Sequence, residues 1–334
     1  MTNIDDNLGG DITSAVRYDA PESPTPYMSQ STYLDSARQG KASPWRYLAG
    51  FLSILFFWLG VGSLATGALL LFFALVQQLG ADEISGAALN PAVLGPIPYF
   101  IILNVSFIFF FIGIWLTAIG IHRRPLRSVI TAKPAIDWKR IGFGFVTWFL
   151  LGIVGSTIEF LIWPETFSFQ FEPLTFLLFA VIALILTPIQ TTSEELFFRG
   201  YLVQAGSLFS RNAIFLSLLS GILFALPHIG NPEMAANFYV VLLAYFVLGV
   251  FLAWISIKDG TIELAIGLHA ANNLFAGLVV TFPQSALPTP AIFYTTHFDP
   301  VFNLVVTIAL CAVFYTIVFV RRKNPVEATI GELE

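Results

Sequence analysis

The sequence predicts an all-α fold: a polytopic membrane protein of about eight transmembrane helices in a bundle, with both termini cytoplasmic. Three observations predict it. Only 11% of the 334 residues are charged, 56% are hydrophobic, and the mean hydropathy is +0.78. The apolar residues fall into eight long runs. The basic residues fall only in alternate connections between those runs. A soluble domain carries about 25% charged residues, so this chain has too few charges to cover a water-facing surface. Hydrocarbon is the solvent it matches, and the 34 Phe residues insert in lipid at little cost. The expected surroundings are a lipid bilayer, with no nucleic-acid partner. Cys311 is the single cysteine, which allows no internal disulfide and no Cys-rich metal site.

The chain opens on a polar stretch rich in Ser, Pro, Asp and Gly, without the apolar core of a signal peptide. Such a stretch cannot bury enough apolar surface to offset its ordering entropy, so residues 1–45 are expected to be a disordered cytoplasmic tail. A bilayer core of about 30 Å needs roughly 20 apolar residues in a helix. Eight runs meet this, at 48–77, 97–121, 141–163, 174–192, 212–228, 236–257, 261–281 and 301–320. The expected membrane domain therefore covers 46–323, followed by a short cytoplasmic tail over 324–334.

Eight spans put both termini on one side. That side receives Arg17, Arg38, Lys41 and Arg46 from the tail, and Arg123, Arg124, Arg127, Lys133, Lys139 and Arg140 from the second connection. It also receives Arg199, Arg211, Lys258, Arg321, Arg322 and Lys323, which completes all 16 Lys and Arg residues. The opposite connections carry acids only, among them Asp82, Glu83, Glu165, Glu172, Glu233 and Asp299. Because basic loops stay inside, this pattern predicts cytoplasmic termini, and a multi-pass protein of the cell membrane.

Ionisable groups inside a span cost about 2.5–3.5 kcal/mol each at the helix centre, so their presence asks for a reason. Three clusters stand out. In Thr191-Thr192-Ser193-Glu194-Glu195-Leu196-Phe197-Phe198-Arg199, Glu195 and Arg199 share a helix face at i and i+4 and can pair. Glu194 points about 100° away and is left free. A salt bridge where a helix leaves the membrane would explain the pair but not the second carboxylate. In Phe224-Ala225-Leu226-Pro227-His228, Phe224 and His228 are again i and i+4; an ordinary interfacial histidine is the plain alternative. In Gly267-Leu268-His269-Ala270-Ala271-Asn272-Asn273, His269 and Asn273 share a face, while Gly267, Ala270 and Ala271 admit a close neighbour. The plain alternative here is a polar pair bonded across the bundle. His122 and His297 lie in connections and read as solvated; Glu159, near the outer end of the third span, is given no role.

Together the clusters bring Glu194, Glu195, Arg199, His228, His269 and Asn273 from three helices. A carboxylate, two imidazoles and an amide can activate water and stabilise an oxyanion. The same groups could instead ligate one divalent metal such as zinc, with Glu194, His228 and His269 as the set; Asn273 is a poor zinc ligand. A difficulty of depth remains. With the span limits above, His228 lies ~25 Å and His269 ~12 Å from the basic edge, so the fourth and fifth helices must be displaced or tilted for both to meet Glu194.

The order Glu-Glu-x-x-x-Arg, Phe-x-x-x-His, His-x-x-x-Asn across eight membrane helices resembles the CAAX protease and bacteriocin-processing family, also called Abi or CPBP. The resemblance covers a motif-bearing core over roughly 173–281. It implies an intramembrane endopeptidase, similar to CAAX prenyl endopeptidases, acting on a membrane-associated protein or peptide. By the same resemblance, Glu194 is the base that activates water, Glu195 and Arg199 hold it, and His228 is its partner on that water. His269 and Asn273 form the oxyanion side. The family is commonly labelled a metalloprotease, whereas a metal-free glutamate mechanism is the other reading. The rival functions are a non-catalytic scaffold or immunity-type binding protein on the same fold, and a proton-coupled transporter. The transporter reading lacks the paired, Gly/Pro-broken halves expected of such proteins.

Overall fold

The structure is a computed structural model that describes residues 33–80, 83, 91–286 and 289–320. Eight long helices make up the bundle: α1 (Pro44–Val76), α2 (Pro96–Ile121), α3 (Trp138–Ile162), α4 (Pro173–Gly206), α5 (Ala213–Gly230), α6 (Phe238–Asp259), α7 (Glu263–Leu278) and α8 (Pro300–Val320). All but α7 are long and apolar enough to cross a bilayer. Helix α7 has 16 residues, or ~24 Å, and every residue from Glu263 to Ala271 is buried. It therefore needs no apolar outer surface, because protein surrounds it. The chain is a multi-pass, all-α membrane protein.

Local sequence sets the helix ends. Asp137, Asn212, Asn237 and Asp299 cap α3, α5, α6 and α8, each side chain accepting from backbone N–H groups of the first turn. Gly260 closes α6 in the left-handed conformation that glycine adopts without strain. The outward faces of the spans carry Leu48, Leu64, Leu161, Leu174 and Leu177, all exposed, as a lipid-facing surface requires.

Helices α3 and α7 pack closely. A Cβ on Gly267 would lie 2.0 Å from the Ile141 carbonyl oxygen, and one on Gly144 would lie 2.6 Å from that of Leu264. The small residues of α7 thus do what their sequence pattern suggests. Helices α5 and α6 meet the same way through Gly221 and Gly249. At the end where α3 finishes and α4 begins, a small sheet lies across the bundle. β1 (Phe167–Phe169) runs antiparallel to β3 (Phe293–Thr295), which pairs in parallel with β2 (Val280–Thr281).

Three expectations are corrected. The fourth span does not stop at 192; α4 continues to Gly206, through a π-helical stretch over Leu196–Leu202. Its polar residues can stay inside because the protein satisfies them: Thr191 and Ser193 bond back to the Thr187 and Ile189 carbonyls, and Gln204 donates to Ser128 O. This extension also eases the problem of depth, since Glu194 becomes an interior residue ~18 Å from the end of α4. Second, the expected disordered tail does not reach residue 45. Tyr33, Leu34 and Ala37 are buried in the main core beside Tyr47, Phe110, Phe197 and Tyr201. Their aromatic and aliphatic surface outweighs the polar composition around them. The rest of that expected tail, and the one over 324–334, lie outside the described residues. Third, His122 is not solvated but fully buried, with Nδ1 3.0 Å from Lys41 O and Nε2 3.1 Å from the Tyr201 hydroxyl.

Candidate active site

The site is built at the crossing of α4 and α7. Glu194 and Glu195 end the regular part of α4, and the π-helical stretch follows at once. Such stretches recur at functional positions because the extra residue re-aims side chains. Glu195 is fully buried, and its Oε1 accepts from Arg199 Nη1 at 2.8 Å, as the i and i+4 spacing predicts. The guanidinium lies over the Phe224 ring at 4.1 Å and reaches the Gly249 carbonyl with Nη2 at 3.4 Å. A buried carboxylate is tolerable only with such a partner.

Glu195 has a second neighbour. Its Oε1 lies 2.7 Å from His269 Nδ1 on α7. A carboxylate accepts, so Nδ1 carries the proton and the other ring nitrogen is aimed elsewhere. That nitrogen, Nε2, lies 3.6 Å from Glu194 Oε2. Glu194 is thus free of Arg199 and faces a histidine whose orientation Glu195 fixes.

His228 sits in the 3₁₀ turn Leu226–Gly230 that ends α5. Its Nδ1–H donates to Phe224 O at 2.8 Å, and its ring stacks on Tyr245 at 4.1 Å. The Tyr245 hydroxyl donates in turn to Glu233 and accepts from Asn231. Nε2 of His228 is left for the cavity. Phe224 lies between the two histidines, its ring 4.8 Å from His228 and 5.7 Å from His269.

Asn273 is held by a relay. Trp148 Nε1–H on α3 donates to Asn272 Oδ1 at 3.2 Å, and Asn272 Nδ2 donates to Asn273 Oδ1 at 3.1 Å. Its oxygen is thus engaged by Asn272, and Asn273 itself lines the cavity.

A cavity of about 830 Å³ joins these groups. Glu194, His228, His269, Asn272 and Asn273 all line it, whereas Glu195 and Arg199 stand behind the wall. Among the described residues, no three His, Cys, Asp or Glu side chains converge as a metal ion would require. The set Glu194, His228 and His269 shares the cavity without meeting at one point.

Sequence reasoning did not single out Trp148, Asn231, Glu233 or Tyr245. Only Asn272 had a signal, as the neighbour of Asn273; the others are ordinary residues whose roles arise from packing. Glu159 and His297, given no role or read as solvated, also line the cavity.

Fold and site define a class: a polytopic membrane protein whose buried carboxylates and histidines line a chamber within the bundle. Residues 173–275 match the family described as type II CAAX prenyl endopeptidase Rce1-like. The chain is also 36% identical over 279 residues to the uncharacterized protein YyaK of Bacillus subtilis (strain 168), covering 83% of this chain and 91% of that one. The chain belongs to the CAAX protease (CPBP) family. No solved structure matches it.

Proposed function

We propose that the protein is an endopeptidase of the cell membrane that hydrolyses a peptide bond of a membrane-associated protein or peptide, using water activated by Glu194. The observation that carries this reading is the split of the two adjacent carboxylates. Glu195 is committed to Arg199 and His269, and Glu194 faces the cavity beside His269 Nε2. A structural ion pair needs one carboxylate; a base needs another kept free of the cation.

Water held by Glu194 and the Nε2 lone pair of His228 gives its proton to Glu194 as its oxygen bonds the scissile carbonyl carbon. The charge that develops on the carbonyl oxygen meets the Asn273 NH₂ group, a donor already oriented by Asn272 and Trp148. The carbon–nitrogen bond then breaks, and the proton held by Glu194 and His269 passes to the leaving nitrogen. Arg199 touches none of these atoms; it holds Glu195, which holds His269.

Purified protein presented with a membrane-tethered fluorogenic peptide library tests this reading, with Glu194→Ala alongside. Cleavage that the variant loses while remaining folded is the expected result. Cleavage unchanged in the variant would remove Glu194 from the chemistry. No cleavage by either protein, with cellular activity unaffected by Glu194→Ala, would favour a binding protein on this scaffold.

A further inference from the structure

The bundle has two unlike ends. Arg46 reaches Ile121 O at the end of α2, Arg140 pairs with Asp259 between the start of α3 and the end of α6, and Arg211 pairs with Asp35 before α5. Arg38, Lys41, Arg123, Arg124, Arg127, Lys133, Lys139 and Lys258 belong to the same end. The positive-inside rule makes that end cytoplasmic.

The cavity lies towards the other end on most helices, and it reaches deepest on α1 and α4, at Trp58, Glu194 and Phe198. Helix α2 lines it with Tyr99, Leu103, Asn104 and Phe107, from its half away from the basic end. Helix α3 contributes Trp148 through Glu159, α6 contributes Val241 through Leu248, and α8 contributes Pro300 through Leu310. Apart from Trp148, just on the basic side of the middle of α3, each set again comes from the half nearer the acidic loops. The cavity continues to Phe282, Ser285, Thr295 and Asp299 in the loops of that face, and Pro227, Gly230 and Pro232 at its edge are exposed. No Lys or Arg lines it among the described residues.

Towards the basic end the chamber is closed. Below Glu194 and Glu195 lie Arg199, Phe197 and Tyr201, all buried, and beneath them the segment from Tyr33 is strapped across the bundle. The Tyr33 hydroxyl donates to Arg199 O at 2.7 Å, Ser207 Oγ donates to Leu34 O at 3.2 Å, and Arg124 donates to Ser36 O. A peptide cannot approach Glu194 from that side without displacing this core.

We infer that the chamber opens on the extracytoplasmic face and takes an apolar polypeptide segment from that side of the membrane. Aromatic walls, including Trp58, Phe107, Phe275 and Phe298, suit apolar side chains. The acids Glu159, Glu233 and Asp299, with no cation opposite, disfavour a segment that ends in a free carboxylate. The inference rests on the endopeptidase reading for the fate of the segment, but not for the side from which it arrives.

The test is labelling of intact cells with a membrane-impermeant maleimide, in a Cys311→Ala background. Ser156→Cys reports the cavity wall and Lys133→Cys reports the basic end. The expected result is that Ser156→Cys labels at a similar rate before and after permeabilisation, that Lys133→Cys labels only after it, and that an apolar peptide added outside slows labelling of Ser156→Cys. Labelling of Ser156→Cys only after permeabilisation, or not until denaturation, would overturn the inference, as would the absence of peptide protection. Labelling does not depend on cleavage. A protein labelled and protected from outside that cleaves nothing would therefore sink the endopeptidase reading and support this one.

Discussion

His269 Nδ1 and Glu195 Oε1 lie 2.7 Å apart, although 74 residues separate them in the chain. This bond joins α7 to α4 and decides where His269 Nε2 points. Glu195→Gln keeps an oxygen that can accept but loses the charge and the certainty of orientation. The expected outcome is a kcat lower by roughly 10- to 100-fold with KM little changed, since a group that orients a reacting residue carries about that much. Steady-state kinetics on the folded variant checks it; an equal rise in KM would assign Glu195 to substrate binding instead.

Arg199 is wholly buried, and its charge is met by Glu195 and the Phe224 face. Arg199→Ala leaves Glu195 buried with no cation, a loss of about 3–5 kcal/mol. Folded yield in detergent should drop sharply. The double variant Glu195→Gln with Arg199→Met removes both charges and should recover most of that yield while keeping the lowered kcat of Glu195→Gln. Monodisperse yield and thermal unfolding read the first effect, and peptide cleavage reads the second.

Trp148 reaches Asn273 only through Asn272. Trp148→Phe keeps most of the aromatic bulk and removes the N–H. It should lower kcat without moving Tm appreciably, whereas Asn273→Ala should cost about 10²–10³ in kcat, the loss typical of an oxyanion donor. A fall in Tm that tracks the fall in kcat for Trp148→Phe would mean the tryptophan matters for packing alone.

His122, just past the end of α2, gives a pH dependence that has nothing to do with catalysis. Burial pushes its pKa down from 6.5 to about 4, with the Lys41 carbonyl opposing this in part and Arg124 and Arg46 adding to it. Unfolding therefore takes up a proton that the folded state refuses. The contribution of a neutral His122 is fully present above pH 6.5 and is lost as the pH falls towards about 4, by about 3 kcal/mol in all. Thermal unfolding between pH 7 and 4.5 should show a falling Tm that is blunted in His122→Gln. Parallel curves for the two proteins would show that His122 is not the group responsible.

Much of this was legible in the sequence, for particular reasons. Apolar runs and one-sided basic residues mark the bundle because lipid imposes both. Glu195 and Arg199 sit one helical turn apart, so their pairing follows from spacing alone. What spacing cannot carry is contact between distant segments. The bond from His269 to Glu195, the Trp148 relay and the Tyr245 stack on His228 each depend on how helices cross. The burial of Tyr33 and Leu34 was hidden by the polar residues around them. The end of α4 was missed because a polar motif in an apolar run reads as an exit from the membrane. Here protein partners satisfy it and the helix continues.

The most direct measurement is cleavage of a membrane-tethered peptide in H₂¹⁸O by wild type and Glu194→Gln, with products weighed by mass spectrometry and folding checked by thermal unfolding. The account expects one ¹⁸O in the new carboxyl terminus with the wild type, and no product from a variant that unfolds at the wild-type temperature. Cleavage by Glu194→Gln at the wild-type rate would contradict it.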